Sequence, residues 1–165
     1  MSWNIAPPFL AGLAPFTAFA ASALAQLALG RLTLSQQLVT GTVLFPVGLA
    51  LTALSLYHPG LWLVLVAAGL AGAGAGLLFK GSVTRSALAA VPASRAGVLA
   101  VFFVLAYLGM GLPSVAFSLL IRETPLNATM IGFAAVLSAG TVAAVVTALR
   151  TDRRRPVREK KEFAR

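Results

Sequence analysis

Lys, Arg, Asp and Glu divide this chain into a few long uncharged tracts. Met1–Gly30, Leu32–Phe79, Ala96–Ile121 and Thr124–Leu149 contain none of the four. A helix that crosses a bilayer needs roughly 20 mostly apolar residues. The second tract is long enough for two such helices, and "YHPG", Tyr57–Gly60, is the turn that divides it. The pattern predicts five helical spans, at about 9–30, 37–56, 61–80, 96–121 and 127–149. The first apolar tract is too long, and too poor in Lys and Arg, for a cleaved signal peptide, so it reads as a retained helix.

Composition strengthens this reading. Of 165 residues, 59% are hydrophobic and only 10% are charged, with a mean hydropathy of +0.91. A soluble domain carries about a quarter charged residues and could not cover its surface with so few. The expected fold is an all-α integral membrane protein, a bundle of five transmembrane helices over 1–149. The tail, "RTDRRRPVREKKEFAR" from Arg150 to Arg165, is expected to be disordered.

The charges that remain are placed asymmetrically. Arg31 follows span one. Lys80, Arg85 and Arg95 lie between spans three and four, and Arg150 opens the tail. All these segments fall on one side, and of the 13 Lys and Arg only Arg122 falls on the other. Basic loops stay cytoplasmic, which puts the C-terminus inside and the N-terminus outside a plasma membrane. The basic tail begins at a helix end, where it would meet anionic lipid rather than nucleic acid.

Reactive chemistry is sparse. With no cysteine, disulfides, thiol catalysis and cysteine-bound metals are excluded. The single histidine, His58, sits in a Pro-containing turn without further metal ligands nearby. No Asp, Glu, Lys, Arg or His lies mid-span, and such groups are the usual mark of ion coupling. No nucleophile, base or carboxylate pair suggests an enzyme, a metal site or a cofactor.

The stretch "GLAGAGAGLLFKGS", Gly69–Ser82, resembles a phosphate-binding loop at first sight. The dinucleotide fingerprint needs glycines at positions 1, 3 and 6, but counting from Gly72 or Gly74 the sixth position is Leu77 or Phe79. The P-loop needs Gly before its Lys and Ser or Thr after it, whereas Lys80 stands between Phe79 and Gly81. Gly69, Gly72 and Gly76 instead share one helix face and predict a packing seam, where small residues let two membrane helices approach. The nine Leu, Val and Phe residues of Leu61–Phe79 favour insertion by roughly 3 to 5 kcal/mol.

Neutral polar groups supply two further features. Ser22 and Gln26 are one turn apart on span one. Tyr107, Met110, Ser114 and Ser118 share a face of span four, where hydroxyls can bond between helices for about 0.6 kcal/mol each. Pro15, Pro46 and Pro113 interrupt three spans, and Pro113, preceded by Gly109 and Gly111, is the hinge candidate.

Three stretches carry a family resemblance. "ALAQLALGRLTL" (Ala23–Leu34) resembles the Gly-Arg-Leu opening of a cytoplasmic loop in major facilitator superfamily transporters. "GAGAGLLFKGSVTRSALAAVPASRAG" (Gly72–Gly97) is similar to that family's glycine-rich tenth helix and the loop after it. "AYLGMGLPSVAFSLL" (Ala106–Leu120) is similar to its eleventh helix. The whole chain resembles the carboxy-terminal half, helices eight to twelve. The Asp-Arg pair that usually continues the first loop is absent from Thr33–Gln37, and the family's first seven helices have no counterpart.

That resemblance implies a partial secondary transporter for a small solute, with export as one option, and with Ser22, Gln26, Tyr107, Met110, Ser114 and Ser118 lining its pathway. It implies a partner in an amino-terminal half or a second copy, without which the piece would be inactive. A non-transporting scaffold or assembly subunit is the competing expectation.

Overall fold

The structure is a computed structural model that describes the backbone of residues 8–162 and the side chains of residues 12–151. It contains five long helices: α1 (Pro8–Ala28), α2 (Leu34–Leu54), α3 (Leu61–Ala89), α4 (Arg95–Leu120) and α5 (Leu126–Glu162). A short 3-10 turn, Pro92–Ser94, precedes α4. There is no strand among the described residues. Four of the helices are long and apolar enough to cross a membrane, and the described part of α1 is a shorter apolar helix. The chain is thus a helical bundle of the kind that spans a bilayer.

Two boundaries differ from the sequence reading. The third span was expected to end at 80, but α3 runs on to Ala89. Residues 81–89 include Ser, Thr and Arg yet contain no proline, and their one glycine, Gly81, is packed against Leu38, so nothing stops the helix before "VP". The last span was expected to end at 149, with a disordered tail beyond. The apolar span itself ends close to that point, at Thr151, but the helix continues to Glu162 through a segment rich in Arg, Lys and Glu that also contains Pro156.

Local chemistry fixes the loops. Thr33 caps α2 by a reciprocal pair: its side chain accepts from the Gln36 backbone N–H at 3.3 Å, and Gln36 Oε1 accepts from the Thr33 N–H at 3.0 Å. The buried Gln37 amide donates to the Leu32 carbonyl at 3.0 Å. Neutral side chains alone therefore hold this loop. At the opposite end, Thr124 and Thr129 share a hydrogen bond of 2.6 Å across the α4–α5 turn.

Within the spans, hydroxyls fold back onto their own helices. Thr17, Thr42, Thr52 and Thr141 each donate to the carbonyl four residues earlier, at 2.7 to 2.9 Å. In lipid this satisfies a donor that water cannot reach.

The core is built around α3. Helices α2 and α3 are apolar on all sides, so polarity does not tell them which face to bury. Small residues decide instead. Gly72 and Gly76 lie against Ala18 and Ser22 of α1, and Gly69 against Thr17 and Ala21. These pairs advance together, so α1 and α3 run parallel. On a second face, Gly74 meets Phe45, Gly81 meets Leu38, and from α2 Gly41 meets Leu78 while Gly48 meets Ala71. Here the numbers run in opposite senses, so α2 and α3 are antiparallel. Leu77 lies between the two seams and is 0% exposed.

The outer helices are attached less evenly. α5 packs along α2, burying Thr129, Ala134 and Val145. α4 buries no residue at all. It is pinned at two places: Phe102 and Phe103 lie 5.8 and 6.2 Å from Phe79 of α3, and Phe117 lies 5.2 Å from Phe133 of α5, ring centre to ring centre.

Candidate functional site

The parallel pairing of α1 and α3 extends one turn beyond the glycines. Lys80 follows Gly76 by four residues and Gln26 follows Ser22 by four. The Lys80 ammonium donates to the Gln26 main-chain carbonyl at 3.0 Å. That carbonyl belongs to the last turn of α1, where backbone acceptors lack helical partners and a cation is favoured. The lysine that looked like part of a phosphate loop is therefore a cap on a neighbouring helix. Arg85, one turn further along α3, donates to the Ala148 carbonyl of α5. Lys80 and Arg85 thus mark one end of the bundle, to which α1 and α3 point their C-termini and at which α4 begins with Arg95. The opposite end carries Tyr57 and Trp62, both exposed, the latter by 80%. Such aromatic residues sit at membrane–water boundaries.

A cleft opens beside the glycine seam. Its floor is α3, from Ala75 to Ser82, and its walls are α1 and α4. The backbones of α1 and α4 come within 8 Å of each other nowhere among the described residues, so the cleft is open along its side. Its volume is about 780 Å³, which falls within the range of roughly 300–1,000 Å³ typical of ligand pockets. Phe19, Phe79, Phe102, Phe103 and Met110 give it an apolar, aromatic surface.

The sequence-nominated residues divide between cleft and elsewhere. Ser22, Gln26, Tyr107 and Met110 border the cleft from facing helices. The Gln26 amide donates to the Ser22 hydroxyl at 3.3 Å, forming a small polar patch on the α1 wall. Tyr107 is 72% exposed at the mouth. Ser114 and Ser118 are exposed on α4 beyond the cleft, and Ser114 donates to the Met110 carbonyl at 2.9 Å. Gly69, Gly72 and Gly76 form the floor-to-wall seam, and the backbone of Gly76 itself reaches the cleft. Gly109 and Gly111 touch nothing that a methyl group would meet, and Pro113 lies on the same unsupported middle stretch of α4.

Other residues of the site were not anticipated. Ser82 contributes a hydroxyl, and the Phe79–Phe102–Phe103 cluster joins floor to wall. The α2–α3 seam was also missed, although a signal was present. Gly41 and Gly48 are seven residues apart, as are Gly74 and Gly81, so each pair spans two turns of one face. Among the described residues, no group of His, Asp and Glu is arranged to hold a metal ion.

No family model matches this chain, and no curated protein or solved structure matches it either.

Proposed function

We propose that the chain is one part of a secondary transporter resembling the major facilitator superfamily, and that the α1–α3–α4 cleft is its solute pathway. One observation carries this reading: Ser22 and Gln26 on one helix and Tyr107 and Met110 on another, chosen from sequence alone, border a single cleft. In this reading the basic end faces the cytoplasm, the N-terminus lies outside and the membrane is the plasma membrane. The solute is small and largely apolar, in keeping with the aromatic walls. The described spans carry no ionisable group at mid-depth, so a coupling ion would be handled by a partner half or a second copy.

The test is flux in vesicles reconstituted with the full chain, with a lipophilic bisbenzimide dye as probe. The expected result is movement above that of empty vesicles, abolished by Ala106→Trp, which fills the cleft. No dye movement, alone or with a co-expressed partner, overturns the reading.

A second reading has its own support. α4 buries no residue, and a helix so poorly covered is suited to assembly with another protein. An assembly subunit would yield a fixed-stoichiometry complex on crosslinking in membranes and no flux.

A further inference from the structure

The cleft is polar at one end and apolar at the other. At the basic end lie Gln26, Ser82 and, one step behind Gln26, the Lys80 ammonium. Towards mid-membrane lie Phe19, Ala75 and Met110. Along α4 the lining runs from Phe102 to Met110, about 12 Å by helical rise. Phe102 lies about two turns past Arg95 at the start of that helix.

Two features point to what fits. The cleft opens sideways, so its occupant can arrive from the bilayer without crossing water. No charged side chain lines the cleft itself, but the Lys80 ammonium bonds the main chain of its lining residue Gln26, at the end where the lipid headgroups lie, and has three donors with one bond among the described residues. We propose that the cleft binds one hydrocarbon chain of an anionic lipid from the leaflet at the basic end of the bundle. The headgroup phosphate meets Lys80 and the Gln26–Ser82 end. The chain lies over Gly76 and against Phe79, Phe102 and Phe103, and the flexible Met110 closes its far end.

This uses the cleft proposed above as a pathway, but it does not depend on transport. Dye flux without lipid in the cleft defeats this inference alone, and lipid in the cleft without flux defeats the transport reading alone.

The experiment places the full chain in vesicles containing phosphatidylglycerol with a photoactivatable diazirine at mid-chain. A parallel set carries phosphatidylcholine with the same chain. After irradiation, adducts are mapped by peptide mass spectrometry. Adducts should concentrate on residues 102–110 and on Phe19, above those at Val136, an exposed position on α5. The anionic lipid should label about fivefold more than the zwitterionic one, as expected for about 1 kcal/mol from one basic side chain at the surface. Lys80→Gln should remove that preference and Lys80→Arg should keep it, while Ala106→Trp should remove cleft labelling by both lipids. Labelling spread evenly to Val136, or equal for the two headgroups in the unsubstituted chain, would overturn the proposal. So would a disulfide between copies at Tyr107→Cys, because a second chain would then fill the cleft.

Discussion

Gly76 of α3 is seated on Ser22 of α1 so closely that a methyl group there would overlap the Ser22 hydroxyl. The same close approach recurs one turn away, where a Cβ at Gly72 would strike the backbone of Ala18. In lipid, where hydrophobic burial does not drive association, contact of this kind is what holds two helices together. Gly72→Val should therefore separate α1 from α3. The expected loss is at least about 1–3 kcal/mol, since the obstacle is backbone and cannot rotate away. Gly69→Ala is the control, because a methyl there meets Thr17 and Ala21 at ordinary distances of 3.7 and 4.0 Å. Detergent-titration unfolding of the two variants checks the contrast, and equal stability would contradict it.

The second seam gives a parallel expectation. Gly48 is packed on Ala71, with the Ala71 Cα 2.6 Å from where a Cβ would stand. Gly48→Ala should force α2 away from α3 and lower the unfolding midpoint. Gly140 sits in α5 with nothing within 4 Å of that position. Gly140→Ala should stabilise by about 0.4–1 kcal/mol through helix propensity and reduced chain entropy. The pair measured together separates packing from propensity.

The spans were legible in the sequence because charge is so costly in hydrocarbon that its absence marks them. The α1-facing seam was legible too, because Gly69, Gly72 and Gly76 fall at helical spacing. The continuation of α3 to Ala89 was not, because Lys80 reads as the end of a tract until the Gln26 carbonyl is seen to accept its hydrogen bond. Nor was the sharing of one cleft by Ser22 and Tyr107. These residues are far apart in the chain, on helices whose backbones do not touch, and they come together only through the floor that α3 supplies. Ser114 and Ser118 fit the same period as Tyr107, yet they are exposed on α4 outside the cleft. Helical periodicity identifies a face but not how much of it meets a neighbour.

The Lys80 cap predicts a local effect. Removing the ammonium leaves the Gln26 carbonyl at the end of α1 without its cation. Lys80→Met should weaken the last turn of α1 by about 0.3–1 kcal/mol. Hydrogen exchange should quicken at residues 26–30 and stay unchanged in α5. Uniform quickening in both helices would show that Lys80 supports the whole bundle instead.

The proposed orientation can be checked with single cysteines, since the native chain has none. His58 and Ala93 are both exposed, at opposite ends of α3. In intact cells His58→Cys should react with a membrane-impermeant maleimide, and Ala93→Cys should react only after permeabilisation. The reverse pattern would invert the bundle.

The last expectation concerns α4. Its aromatic anchors lie on either side of Gly109, Gly111 and Pro113, and a Cβ at either glycine would meet nothing within 4 Å. Proline cannot donate to the carbonyl four residues earlier, so the stretch is also short of one backbone hydrogen bond. Packing does not require these glycines, and what they contribute is compliance. Replacing both with alanine should leave the fold intact and slightly raise its stability, by up to about 1 kcal/mol per site. It should also stiffen the α4 wall of the cleft. Spin labels at Leu24 on α1 and Leu105 on α4 would report this as a narrower distance distribution in the double variant. Dye flux should fall in step if opening of the cleft limits it. An unchanged distribution would mean that α4 bends elsewhere, or moves as a rigid rod about its Phe79 anchor.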